Sequence, residues 1–325
     1  VRPGAIDIAG PLQRRCSSYT SRRESSWAPS RQLSLVRQEA CLVGILPRRS
    51  RYVLAPRAPD TMPELPEVEI QRRLLDTATR GATLVKLERP DLARFEGDPA
   101  DLVSHRVVSW GRRGKYLMAD FGAWSLLSHL GMTGQWIVDA PTDRAHRRVV
   151  LRFDSGRSLT LIDPRRFGWT WIVASQELAN HPRLVSLGLD PLAHTWTADN
   201  LREAVGPRRP ALKNRLMDQK VVAGLGNIAL SEIGWRARVH PHVPCRAVAP
   251  DAWQRLVEAT QQHIDYVLDA EGGDEIVYLG YEGAVNPFRC YGRAGEPCPR
   301  CKATFTKGAI GGRATYRCPT CQPLD

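Results

Sequence analysis

Hydrophobic and polar positions fall into three rhythms along this chain. From Pro63 to Arg80, Val68, Leu74, Leu75 and Ala78 recur at helical spacing; Pro66 suits a first turn and Gly81 a C-terminal stop, so the spacing predicts a helix. From 82 to 173 the period shortens. "ATLVKLER", "RVVSW", "KYLMADF", "WSLLSHL", "QWIV", "VVLRF", "SLTLI" and "WTWIV" are short apolar or alternating runs, and "DSGR" at 154–157 is a hairpin turn. Such a series predicts an antiparallel sandwich or barrel. Near Pro191 the rhythm becomes helical again. "TADNLREAVG" has an N-cap threonine and a closing glycine, "ALKNRLMD" and "NIALSEIGWRARV" flank the glycine-rich "VVAGLGN", and 250–273 carries Trp253, Leu256, Val257, Ile264, Val267 and Leu268 on one stripe before Gly272 and Gly273.

The expected fold class is therefore α+β and multidomain. An N-terminal helix and β-sandwich span 62–191, a helical domain spans 192–273, a 17-residue connection runs over 274–290, and a small module occupies 291–325. A connection of that length without structure of its own is often functional. Residues 1–61 read differently: they are Ser-, Arg- and Pro-rich, with no sustained apolar period, and are expected to be a disordered leader outside the functional protein.

Charge sharpens that contrast. The chain has 325 residues and a net charge of +12. Residues 1–61 hold eleven Arg, no Lys and four acids, a net of +7, which leaves +5 for the rest. An anionic partner is thus suggested by where cations cluster, as in "PRRPALKNR", more than by their sum. No run approaches the ~18 apolar residues of a membrane span, so no membrane association is expected. An Arg-rich, acid-poor leader also fits an organelle transit peptide. The alternative is an over-extended reading frame with translation starting at Met62.

Cysteines give the sharpest chemical signal. Cys298, Cys301, Cys318 and Cys321 form two C-x2-C pairs sixteen residues apart. That spacing predicts one structural zinc ion. Two disulfides are the poorer reading, since a two-residue gap suits joint ligation and no secretory signal is present. Cys16, Cys41, Cys245 and Cys290 show no pairing pattern.

Six stretches then stand in one order: "MPELPEVE" from Met62, "GRRGKYL" around Lys115, "HLGMTG" around Met132, "DPRRFG" around Arg165, "GLGN" ending at Asn227, and the four-cysteine module. Singly they are weak. In series, over residues 62–325, they resemble the formamidopyrimidine-DNA glycosylases, bifunctional bacterial enzymes that repair oxidised purines. The resemblance implies a sandwich domain, a helix-two-turns-helix domain and a zinc finger. It implies removal of 8-oxoguanine and formamidopyrimidines from double-stranded DNA, then strand cleavage at the abasic site by β,δ-elimination. It also implies a monomer in the bacterial cytoplasm, at the nucleoid, or in an organelle if the leader is a transit peptide.

Residue by residue, the resemblance makes Pro63 the nucleophile, Glu64 the acid that assists base departure, and Lys115 and Arg313 the catalytic cations. The chemistry is intelligible. A free secondary amine attacking C1′ gives an iminium ion, an electron sink that acidifies the C2′ proton. An acylated Pro63 nitrogen is an amide and cannot attack, so the leader and this chemistry exclude each other in one molecule. His129, His146, Arg209, Lys213 and Asn227 correspond to DNA contacts. Met132, Arg165 and Phe167 correspond to residues that fill the hole left by an everted base. Without the resemblance, "PELPEVE" is a helix start, Lys115 a solvated turn lysine, His129 a core histidine, and Met132 and Phe167 ordinary core. The sequence departs from the family at Ala229–Leu230, and 274–293 is shorter than the family's lesion-covering segment. That shortening keeps open an endonuclease VIII-like preference for oxidised pyrimidines. A catalytically silent damage binder is the third reading.

Overall fold

The structure, a computed structural model, describes residues 62–91, 94–270 and 286–324. The expectations for 1–61, and for most of the 274–290 connection, lie outside the described residues.

Helix α1 spans Leu65–Thr79, with Pro66 in its first turn and a capping box in which Glu64 is the N-cap and Glu67 its partner. Nine strands follow: β1 (Leu84–Glu88), β2 (Phe95–Glu96), β3 (Ser109–Arg113), β4 (Tyr116–Asp120), β5 (Trp124–His129), β6 (Gln135–Val138), β7 (Arg147–Phe153), β8 (Ser158–Ile162) and β9 (Trp169–Ala174). They form two sheets, ordered β1-β7-β8-β6 and β2-β9-β5-β4-β3. All pairings are antiparallel except β2 with β9. Leu84, Leu117, Leu126, Leu151 and Leu159 fill the interior together with Val68 and Leu75 of α1. The helix thus closes one end of the sandwich. Its polar residues fasten it there. Buried Gln71 exchanges hydrogen bonds with both backbone groups of Trp136, and Asp76 and Thr79 take the backbone and indole N–H of Trp110.

"RVVSW" becomes a strand only from Ser109. The backbone of Val107 is already engaged by Gly81 and Ala82, before pairing with β4 begins. The two-residue β2 carries too short a pattern to announce itself.

Short helices α2 (Ser175–Leu178) and α3 (Pro182–Val185) lead to the helical part: α4 (Ala198–Val205), α5 (Leu212–Met217), α6 (Asn227–Ala237) and α7 (Pro250–Ala270). Thr197 caps α4 through Oγ1 and Gly206 ends it at φ 68°. Leu212, Leu216, Leu225, Leu230, Ile233, Trp253 and Leu256 make a second core. Last comes the hairpin β10 (Thr306–Ile310) and β11 (Arg313–Arg317), packed on α6 through Trp235, Phe305, Cys298 and Cys318. Among the described residues no helix is long and apolar enough to cross a membrane.

Candidate active site

Glu64 is the node of the site. It is buried, and its carboxylate accepts hydrogen bonds from the backbone N–H groups of Gly226 (3.0 Å), Ile228 (2.9 Å) and Ala229 (3.0 Å) at the start of α6. A helix N-terminus offers unsatisfied donors and a positive dipole end, which suits a carboxylate. Leu65 N–H donates to the Gly224 carbonyl, so the two chain segments are bonded side by side. The glycines are required here. A Cβ on Gly224 would meet the Leu65 side chain at 2.7 Å, and one on Gly226 would meet Glu64 Oε1 at 2.3 Å.

Pro63 is buried beside this seat. Lys115 Nζ stands 3.8 Å from Sδ of Met62, the residue before Pro63. Lys115 is buried, and desolvation pushes its amine below the usual lysine range; Glu64 and Glu67 pull the other way, and Arg313 adds to the lowering. Glu67 accepts the Glu64 backbone N–H at 3.0 Å. Burial, and then the charge of Glu64, raise its carboxyl to about 7. Proline, two carboxyls and a lysine are thereby gathered in one buried place.

The opposite wall comes from α5, α6 and the hairpin. Lys213 Nζ donates to Asn227 Oδ1 (2.7 Å), Thr315 Oγ1 (2.8 Å) and the Ala314 carbonyl (3.2 Å), joining three elements. Burial, with Arg313 assisting against Glu64, lowers its amine to about 8. Arg313 is exposed at the head of β11, after the Gly311–Gly312 turn, close enough for its charge to bear on both Lys115 and Lys213.

A second group forms where two loops are stitched together. A Cβ on Gly131 would fall 2.4 Å from the Phe167 carbonyl carbon, so the loops touch backbone to backbone. Asp163, buried, accepts Thr133 Oγ1–H and Gly168 N–H, and Arg165 N–H donates to Thr133 Oγ1. Met132, Arg165 and Phe167 are thereby brought to one edge. Phe167 is 42% exposed with the Arg165 guanidinium 5.0 Å from its ring, so it is not a core residue. His129 tilts against Tyr116 at 4.7 Å, and its Nδ1 accepts Gly131 N–H. Burial, then the charges of Lys115 and Arg183, push it down to about 4, so it is neutral. His146 is exposed, and its carbonyl accepts Asp163 N–H. Arg209 is exposed on the segment leading into α5. Neither His146 nor Arg209 touches the Glu64–Lys115 centre.

The Sγ atoms of Cys298, Cys301, Cys318 and Cys321 lie within 4.8 Å of one another, with separations such as 3.9, 3.4 and 3.5 Å. Tetrahedral zinc with ~2.3 Å bonds spaces its sulfurs by about 3.8 Å. Trp235 Nε1–H and Cys321 N–H donate to Cys298 and Cys318 sulfur, as thiolate ligands require. The site fits one structural Zn2+, which would fix the base of the hairpin bearing Arg313. Cys245 and Cys290 are free and buried.

Four organising residues carried no signal of their own in the sequence. Asp163 opens "DPRRFG" and Arg112 lies in "GRRGKYL", neither with a predicted role. Asp190 lies in no such motif. Glu232, at the end of "GLGNIALSE", is buried and accepts the N–H groups of Arg289, Cys290 and Tyr291, tying the approach to the finger onto α6.

Fold and site together define a protein of the class that couples an N-terminal catalytic sandwich to a helix-two-turns-helix element and a zinc finger. Family models agree along the chain: formamidopyrimidine-DNA glycosylase N-terminal domain over 62–170, formamidopyrimidine-DNA glycosylase H2TH domain over 187–276, and the zinc finger found in FPG and IleRS over 295–324. The formamidopyrimidine-DNA glycosylase of Gluconobacter oxydans is 38% identical over 276 residues, covering 80% of this chain and 100% of that protein. The crystal structure of MutM (Fpg) from Thermus thermophilus superposes with a TM-score of 0.70 at 34% identity, covering 81% of this chain and 100% of that one. A MutM complex with DNA containing carbocyclic 8-oxo-G gives 0.71 at 29% identity, with the same coverage. The chain belongs to the formamidopyrimidine-DNA glycosylase family.

Proposed function

We propose that this protein is a base-excision-repair glycosylase with AP-lyase activity, acting on oxidised purines in duplex DNA. One observation carries the reading. Residue 63 is buried and flanked in the chain by Glu64, whose carboxylate three α6 amides hold, and by Met62, against which a buried, desolvated lysine stands. With its nitrogen free, Pro63 attacks C1′ of the damaged nucleotide. Glu64 assists the departing base and the opening of the sugar ring. Cleavage of the C1′–O4′ bond, with the proton delivered to O4′, gives the iminium directly; loss of the C2′ proton to a base then expels the 3′ phosphate. Lys115 and Arg313 neutralise the phosphates on either side of the reacting sugar. Glu67 fixes the terminus through the Glu64 N–H.

Met132, Arg165 and Phe167 occupy the space an everted base vacates, which offsets the few kcal/mol of lost stacking and pairing. The exposure of Phe167 supports that role. His129, His146, Arg209, Lys213 and Asn227 hold the DNA backbone, Asn227 from the first turn of α6. The three functional parts follow the divisions at Pro191 and residue 291. The name of the family and the 8-oxo-G in the related complex support purines over pyrimidines as the damaged base.

The test is borohydride trapping on an abasic duplex. Protein beginning at Pro63 should form the covalent adduct; protein extended upstream of residue 63 should not. Equal trapping by the extended protein would refute Pro63 as nucleophile. A panel of lesion duplexes then reads the base preference, and trapping by the Pro63 form excludes the silent binder.

A further inference from the structure

Asp190 lies where the sandwich gives way to the helices, and it is 3% exposed. Its carboxylate accepts four hydrogen bonds. Oδ2 takes Gly114 N–H (2.8 Å) and one Arg112 NH2 group (2.9 Å); Oδ1 takes the other Arg112 NH2 group (3.0 Å) and Leu192 N–H (3.0 Å). Burial alone would push this carboxyl up. The Arg112 fork and the two amides outweigh it and hold the group below the usual range.

The Arg112 side chain is only 5% exposed. It donates to the Gly114 carbonyl at 2.8 Å and lies 3.4 Å from Glu69 on α1. Both backbone groups of Gly114 are therefore gripped, one residue before Lys115. Gly114 has φ 54° and packs on Ala223, where an added Cβ would come to 3.0 Å. Arg113 donates to the carbonyls of Leu187 and Gly188. Residues 188 and 189 bond in turn to 219 and 221, and Ala223 N–H returns to Leu189. The turn before Lys115 is thus bolted to the same glycine-rich stretch that seats Glu64.

We propose that Asp190 is a positioning residue for Lys115: it fixes the Arg112–Lys115 turn against the segment joining sandwich to helices, and so sets where the lysine amine stands relative to residue 63. The inference rests on the role given to Lys115 above. With Gly114 pinned, only the side-chain torsions of Lys115 stay free. Released, the backbone carries the amine with it, and a shift of about 1 Å in a reacting group costs on the order of 100-fold in rate.

The test is a double-mutant cycle in the zinc-loaded protein beginning at Pro63. Asp190→Asn keeps the shape but turns an NH2 group toward N–H donors. The rate of borohydride-trapped adduct on an abasic duplex should fall on the order of 100-fold. Affinity for a non-reactive abasic-analogue duplex should stay within about twofold, the scatter of independent sites. Adding Asp190→Asn to Lys115→Ala should slow trapping no further. Losses that multiply, or a matching loss of affinity, would mean general disruption and overturn the proposal. If Asp190→Asn does not fold, Arg112→Lys keeps the charge, loses the fork, and is read by the same cycle. If Lys115→Ala leaves trapping unchanged, the role of Lys115 is wrong and this proposal falls with it.

Discussion

Gly226→Ala isolates the seat of Glu64. Gly226 has φ −135° and ψ −162°, extended backbone that alanine adopts without strain, so the perturbation is steric alone. The new Cβ would lie 2.3 Å from Glu64 Oε1 and 2.4 Å from its Cδ, about 1 Å inside the 3.4 Å at which ordinary contact begins. The carboxylate must retreat by about that much. Its three amide bonds, now 2.9–3.0 Å, would then pass the length at which a hydrogen bond is worth the name. At about 1.5–3 kcal/mol each for a charged acceptor, up to roughly 4–9 kcal/mol of local interaction is at stake before Glu64 finds other partners. In rate, a displacement of about 1 Å corresponds to on the order of 100-fold. The assay compares two substrates in single turnover: a duplex with an oxidised purine and one with a preformed abasic site. Excision should fall on the order of 100-fold, whereas borohydride trapping on the abasic duplex falls about tenfold or less, because no base has to leave. Undiminished excision would refute the claim that the α6 terminus positions the acid.

Lys213→Met removes the amine that joins Asn227, Thr315 and Ala314, leaving buried acceptors unpaired at about 1–3 kcal/mol each; thermal melts should fall by several degrees and abasic-duplex affinity with them, and an unchanged Tm would contradict the link. Cys318→Ser should lose zinc and DNA affinity together, read by metal content and fluorescence anisotropy; full affinity without metal would remove the finger from the interface. Glu67→Gln tests the buried acid. Its folded pKa, about 7, lies above the ordinary value, so the folded state binds the extra proton, and the associated stability is lost as pH rises through 7. The variant should therefore gain Tm relative to wild type between pH 5 and 8, and a constant difference would refute the shift.

The rhythm of short apolar runs marks eight of the nine sandwich strands, because antiparallel strands with one face in the core alternate along the chain. β2 escapes, being two residues long, and β3 begins later than its apolar run because Val107 serves a different backbone. The four cysteines were legible because zinc ligation demands local pairs. The seat of Glu64 was not: its three donors lie 162–165 residues away, and backbone N–H groups have no sequence signature. Asp190 and Glu232 were illegible for the same reason, since what they bind is main chain. Phe167 could be either core or surface on sequence alone; its 42% exposure in the structure places it at the surface.

The distance between Glu64 and α6 along the chain has a consequence for a protein emerging from the ribosome. An amine that bonds to aldehydes is a hazard if it is competent from the moment it is exposed. Here the acid beside it finds its seat only after some 162 further residues have been made. At roughly 5–20 residues per second, that is a wait of about ten to thirty seconds. On the reading proposed for Pro63, the nucleophile waits that long for its acid, which is seated only when a helix encoded far downstream is complete.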